Sequence, residues 1–245
     1  MAECHDGYVQ FYEELARVLP EELPNRELLI AKAAKHLELI ASANEYMNLT
    51  RITDPQEAAI KHIYDSVAPW RCFAGAHRVL DAGTGAGFPG IPLALVLPDV
   101  RFTLSESTGK KAHFVDSAVE ALEISNVHVT AERAETVAAS QQVDIITARA
   151  IAPIARVLDL FRGPLKRGVR LILYKGPDVE AELAEASKHR VQAEVLQRYE
   201  LPGGLGTRSM VSISLNHFDQ PHRSTTGLKS VVSKQKPAGD KGQSA

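Results

Sequence analysis

Leu80-Asp81-Ala82-Gly83-Thr84-Gly85-Ala86-Gly87-Phe88-Pro89-Gly90-Ile91-Pro92 is the stretch that decides the fold of this chain. It follows the short apolar run that begins at Arg78, so it reads as a turn closing one strand and opening a helix. Four glycines within eight residues let the backbone turn sharply there. They also let a ligand approach main-chain N–H groups with no Cβ in the way. In open α/β sheets the carboxyl end of a parallel strand is where ligands bind.

Working outward, RFTLSE is a second strand, followed by the helix TGKKAHFVDSAVEALEI. VHVTA, VDIITA and GVRLILY are further strands with helical segments between them. This alternation predicts a mostly parallel sheet covered on both faces. AEVLQRYEL and RSMVSISL, joined by PGGLGT with no helix between, predict a closing antiparallel hairpin. Before the sheet, Leu29, Ala33, Leu37, Ile40 and Met47 recur at helical spacing. Asp54-Pro55-Gln56-Glu57 then signals a second helix start, with an N-cap acid and Pro at the first helical position. The organisation expected is an N-terminal helical segment over 1–70 packed on a catalytic domain over 71–216. A disordered basic tail is expected over 217–245, where five Lys/Arg face two Asp and little can be buried.

Two ligands fit the glycine stretch. Gly85-Ala86-Gly87-Phe88-Pro89-Gly90 matches the dinucleotide pattern GxGxxG, with Glu106 placed where a ribose-binding acid should stand. The second frame, Asp81-x-Gly83-x-Gly85-x-Gly87, resembles the first motif of Rossmann-like methyltransferases, in which Glu106 would take both ribose hydroxyls of S-adenosylmethionine. Electrostatics favours the second. A dinucleotide brings a doubly negative pyrophosphate to the turn, where Asp81 would repel it; S-adenosylmethionine brings a sulfonium and an ammonium. At an effective dielectric of ~20, like and unlike charges ~4 Å apart differ by several kcal/mol. An NAD-dependent oxidoreductase and a non-catalytic S-adenosylmethionine-binding protein remain the alternatives.

Further motifs narrow the reading. Asn48-Leu49-Thr50, then His62-Ile63-Tyr64-Asp65-Ser66, the loop from Asp81 to Pro92 with its Pro89 and Pro92, then Arg133-Ala134-Glu135, Ala148-Arg149-Ala150, Lys175-Gly176 and Arg208 follow in order. Together they resemble the RsmG (GidB) family of bacterial 16S rRNA guanine-N7 methyltransferases from about residue 30 to 215. The resemblance implies a Rossmann-like class I methyltransferase fold with a seven-stranded sheet. It implies S-adenosyl-L-methionine as cofactor and 16S rRNA or the small ribosomal subunit as partner. With the loop reading it implies cofactor contacts at Asp81, Gly83, Gly85, Gly87, Phe88, Glu106, Ser107, Thr108, Ala134, Glu135 and Arg149. The family often has Asp where this chain has Glu106, and one extra methylene keeps the chemistry. Phe88 could pack on the cofactor or fill the start of the helix. His62, Asp65, Lys175 and Arg208 are the RNA-binding candidates, with Arg51, Lys61, Lys110 and Lys111 as further basic groups. His62 and Asp65, three apart, could bond each other or help to close the site.

No catalytic base is expected, because guanine N7 carries a free lone pair and no proton. Cys4 and Cys72 have no metal-ligand spacing, and no metal is expected. The acidic start, MAECHDGYVQFYEEL, is no signal peptide, and no run is long enough for a membrane span. A monomer in the reducing cytoplasm is the expectation. The net charge of −2 does not discriminate for or against nucleic acid.

Overall fold

The computed structural model describes residues 3–215, and the basic tail expected over 217–245 lies outside them. The chain opens with α1 (Glu3–Val18) and α2 (Arg26–Met47). On α2 the apolar stripe is buried from Leu29 through Leu37 to Ile40, while Met47 at the helix end is only half covered. Asn48 ends α2 in the left-handed region at φ 50°, a conformation Asn tolerates better than most residues. The second start signal works as expected: the Asp54 side chain accepts the Glu57 amide at 2.8 Å and Pro55 opens α3 (Pro55–Ala58). The continuation of α3 is unforeseen in the sequence. There the helix widens into a π turn (Ala59–Tyr64) before α4 (Asp65–Val67). Such turns are rare and re-aim the side chains they carry.

The α/β part is laid out as β1 (Arg78–Ala82), α5 (Gly90–Val96), β2 (Arg101–Ser105), α6 (Gly109–Ala121), β3 (Val127–Thr130), α7 (Ala134–Ser140) and β4 (Ile145–Arg149). Then come α8 (Ile154–Lys166), β5 (Arg170–Lys175), α9 (Glu180–Ala186), β6 (Val191–Glu200) and β7 (Thr207–Leu215). The strands form one seven-stranded sheet in the order β3-β2-β1-β4-β5-β7-β6. β1 to β5 pair in parallel, whereas β7 runs antiparallel to both β5 and β6, which is the closing hairpin read from the sequence. Strand order reverses direction between β1 and β4, and an open α/β sheet leaves its ligand crevice at that point.

Burial explains why β1 and α5 look so apolar. Four of the five β1 residues are buried, as expected of a strand covered on both faces. Every residue of α5 is buried, because α2 and α4 cover the side that the sheet leaves open. A single hydrophobic cluster therefore joins Leu15, Leu29 and Ile63 of the N-terminal helices to Val79, Phe102 and Leu104 of the sheet. No described helix is long and apolar enough to cross a membrane.

Candidate active site

The glycine stretch is shaped by two carboxylates acting on its backbone. Asp81, the fourth residue of β1, is fully buried. Its Oδ2 accepts from Thr84 Oγ1 at 2.6 Å and from the Gly90 amide at 2.8 Å. Burial raises its pKa to about 6, offset in part by those two hydrogen bonds. Its Oδ1 is buried and has no hydrogen-bond partner among the described residues. Glu106, just past β2, accepts the Gly85 amide on Oε2 at 3.2 Å and the Thr108 amide on Oε1 at 2.8 Å. Gly90 must be glycine for space: a Cβ there would stand 2.7 Å from Asp81 Oδ2 and 2.8 Å from Leu104 Cγ. Gly85 differs, for at φ 63° its Cβ position faces open space with nothing within 4 Å.

The residues expected to hold the cofactor lie at or just beyond the carboxyl ends of β1 to β4. Gly83, Gly85 and Gly87 follow β1; Glu106, Ser107 and Thr108 follow β2; Ala134 and Glu135 open α7 after β3; Arg149 ends β4. Phe88 is the exception in manner. Its ring is buried against this chain's own groups, stacked on His62 at 4.6 Å and 4° and tilted on His36 at 5.0 Å. The Arg149 guanidinium lies 5.5 Å above the same ring.

Beyond the loop, across the segment Ala150–Ala152, opens a cleft of about 430 Å³. All four RNA-binding candidates, His62, Asp65, Lys175 and Arg208, line it together with Arg149. His62 and Asp65 do not bond each other. His62, in the π turn, sets Nε2 3.0 Å from Thr50 Oγ1, and Asp65 follows at the start of α4. There Asp65 Oδ1 accepts from Tyr199 OH at 2.9 Å, while Oδ2 receives Arg208 Nε at 3.3 Å and Arg149 Nη1 at 3.4 Å. Burial and the Asp65 charge raise the Tyr199 pKa, so its hydroxyl stays a donor. Lys175 Nζ donates to the Ala152 carbonyl at 3.1 Å and pairs with Glu182 at 2.8 Å.

Three participants, Tyr199, Glu182 and His36, escaped the sequence reading, and the bond of a fourth, Thr50, was not visible in it. Tyr199 and Glu182 had no motif to mark them. Thr50 was noted in its motif, but its bond to His62 depends on Asn44, which grips the Thr50 backbone from both sides. His36 had a signal: it falls on the apolar face of α2 between Ala33 and Ile40. It is fully buried, with Nε2 2.9 Å from the Ala86 carbonyl oxygen. Burial lowers the pKa of His36 to about 4; burial, then the nearby Arg149 charge, lowers that of His62 to about 3.

The donor set fits S-adenosylmethionine better than a dinucleotide. A pyrophosphate needs free amides at the glycine turn, but the Gly85 and Gly90 amides already donate to Glu106 and Asp81. The orphaned Asp81 Oδ1 and the open face of Gly85 instead leave negative charge and room.

Strand order, loop and switch point together define the Rossmann-like fold of class I methyltransferases. An O-methyltransferase from Bacillus cereus solved with SAH shares this fold, with a TM-score of 0.51 at 19% identity over 74% of this chain and 91% of that one. The sequence takes the identification further. The family model described as rRNA small subunit methyltransferase G matches residues 29–211. The Ribosomal RNA small subunit methyltransferase G of Solibacter usitatus is 56% identical, covering 83% of this chain and 99% of the relative. That of Carboxydothermus hydrogenoformans is 39% identical, covering 72% and 79%. The chain belongs to the rRNA small subunit methyltransferase G family.

Proposed function

We propose that this protein transfers a methyl group from S-adenosylmethionine to N7 of a guanine in 16S rRNA of the small ribosomal subunit. The observation that carries the cofactor choice is the commitment of the Gly85 and Gly90 amides to two carboxylates. The relatives' shared name supports the RNA substrate. S-adenosylmethionine, when bound, would supply an electrophilic methyl group.

The rest falls to this chain's own side chains. Glu106 would hold the ribose through the lone pairs that the Gly85 and Thr108 amides leave free, with Ser107, Thr108, Ala134 and Glu135 as further contacts to the cofactor. Asp81 keeps the turn anionic above about pH 6 and holds Thr84 and Gly90 in place. The cleft beside the turn receives the guanine, splayed from its stack as chemistry on a base requires. Arg149 and Arg208, held by Asp65, face it with Lys175. Lys61, Arg51, Lys110 and Lys111 approach the RNA backbone. His62 lines the cleft but stays neutral, since its pKa is lowered to about 3, so it takes no proton at working pH. N7 has none to give. Rate then comes from orientation and from fixed charge rather than from a titrating base.

The test is single-turnover transfer from labelled S-adenosylmethionine to purified small subunits, with the nucleoside identified by mass after digestion. We expect 7-methylguanosine and a rate flat from about pH 7 to 8.5, where a general base would make it climb. A methyl on an exocyclic amine or a ribose oxygen would overturn the assignment.

A further inference from the structure

The cleft is lined by two carboxylates, and they are not equivalent. Asp65 is saturated, with Tyr199 on one oxygen and two guanidinium groups on the other. Glu182, on α9, engages Oε2 alone: it accepts the Ile154 amide at 2.7 Å and lies 2.8 Å from Lys175 Nζ. Its side chain is 32% exposed on the cleft wall, and among the described residues Oε1 accepts no hydrogen bond.

We propose that Glu182, paired with Lys175, reads the edge of the target guanine, its Oε1 accepting the N1–H and 2-amino hydrogens while Lys175 donates to O6. This rests on the methyltransferase reading above. A guanine whose N7 must face the methyl donor leaves its Watson–Crick edge for the protein to read. That edge offers an acceptor, O6, beside a donor, N1–H, and an ammonium next to a carboxylate is its complement. Adenine presents an amino donor beside a bare N1, the reverse order, so the pair selects guanine. The segment Ala150–Ala152 ties this pair to the glycine turn. Ile151 packs over Gly83, its Cγ1 3.3 Å from where a Cβ would stand, and the next carbonyl, Ala152, receives Lys175.

The same contact assists the chemistry. N7 gives its lone pair to the methyl carbon as the carbon–sulfur bond breaks and leaves its electron pair on sulfur. No proton moves, and the positive charge passes to the purine. A carboxylate bonded to N1–H holds a purine cation more tightly than a neutral base, so the interaction strengthens toward the transition state.

Glu182→Gln is the discriminating variant. Its amide oxygen can keep the Ile154 N–H, while its NH2 turns a donor toward guanine's donors. Small subunits are reconstituted with rRNA carrying guanosine or inosine at the methylated position; inosine lacks only the 2-amino group. Single-turnover rates are read together with filter-binding affinities measured without methyl donor. We expect E182Q to slow guanosine methylation by about ten- to a hundredfold, as befits a site built to bond a polar edge. Its preference for guanosine over inosine should collapse in both rate and affinity, and Glu182→Asp should recover part of it. Equal penalties on both substrates, matching those of Lys175→Met, would overturn the proposal and leave Glu182 a support for Lys175 and the start of α8. Absence of 7-methylguanosine with the unaltered protein would be a different failure, that of the methyltransferase reading itself, and the proposal would fall with it.

Discussion

The glycine turn and the cleft stand side by side at the carboxyl edge of one sheet, yet they are built in opposite ways. The turn is held through its backbone by two carboxylates that both lie within the β1–β2 unit, Asp81 and Glu106. The cleft is held through side chains that come from α4, β4, β5, α9, β6 and β7. A local, backbone-held site tolerates change in remote elements but not a single extra carbon at its tightest glycine. A side-chain-held site reverses this: it has room for atoms, but losing one charge releases several elements at once.

The largest effect expected from that contrast is at Asp65. Asp65→Asn leaves two guanidinium groups without their counter-charge, and breaking a buried pair costs several kcal/mol. The Arg149 and Arg208 side chains are 18% and 26% exposed, so about 3 kcal/mol of unfolding stability is the expected loss, measured in urea. Methyl transfer should fall with it, whereas S-adenosylhomocysteine affinity stays near that of the parent. A large loss of cofactor affinity would mean the two sites are one.

Next comes Gly90→Ala, where the added carbon meets Asp81 Oδ2 and Leu104. Overpacking of this kind costs about 2 kcal/mol, and here cofactor affinity should drop as well. Unchanged melting and unchanged calorimetric affinity would show that the turn yields easily, and the contrast would collapse.

Glu106→Ala should weaken cofactor binding by about tenfold or somewhat more, as the loss of a charge-assisted hydrogen bond implies. The fold should survive, since the Gly85 and Thr108 amides it releases lie at the partly open rim. Calorimetry showing the parent affinity would reduce Glu106 to a loop brace.

Taken per unit of pH, the smallest effect is that of the buried titratable groups. Unfolded, the His36 and His62 side chains titrate near 6.5 and Asp81 near 3.8; folded, they titrate near 4, 3 and 6. Between about pH 6 and 4 the unfolded chain holds close to two protons on the histidines while the folded chain holds about one, on Asp81. The net excess belongs to the unfolded chain, so these groups lower stability by about 1.4 kcal/mol per pH unit as pH falls through that window. The histidine contribution is complete above about pH 6.5. His62→Gln should remove about that slope relative to the parent in urea titrations at several pH values. Parallel slopes would show that His62 is hydrated in solution.

The same contrast explains what the sequence revealed. Asp81, the glycines and Glu106 belong to one strand-turn-strand unit, so their spacing carries the geometry, and the sheet order follows from the alternation of apolar strands with helices. The family motifs brought His62, Asp65, Lys175 and Arg208 into view, but not their arrangement. The π turn between α3 and α4, which packs against α1, leaves no compositional trace. Glu182 and Tyr199 sit among ordinary surface-like charges and an edge-strand alternation, so nothing local sets them apart. Phe88 was legible as a loop residue, but its neighbours belong to helices far earlier in the chain.

That last ring has a consequence for anyone who would recombine this protein. His36 from α2 and His62 from the π turn form the walls around Phe88, so the entry to the glycine turn is finished by residues that precede the sheet altogether. A chimera taking its first seventy residues from another methyltransferase would inherit a turn with its keystone loose, unless both histidines, or rings of the same shape, came with the transplant.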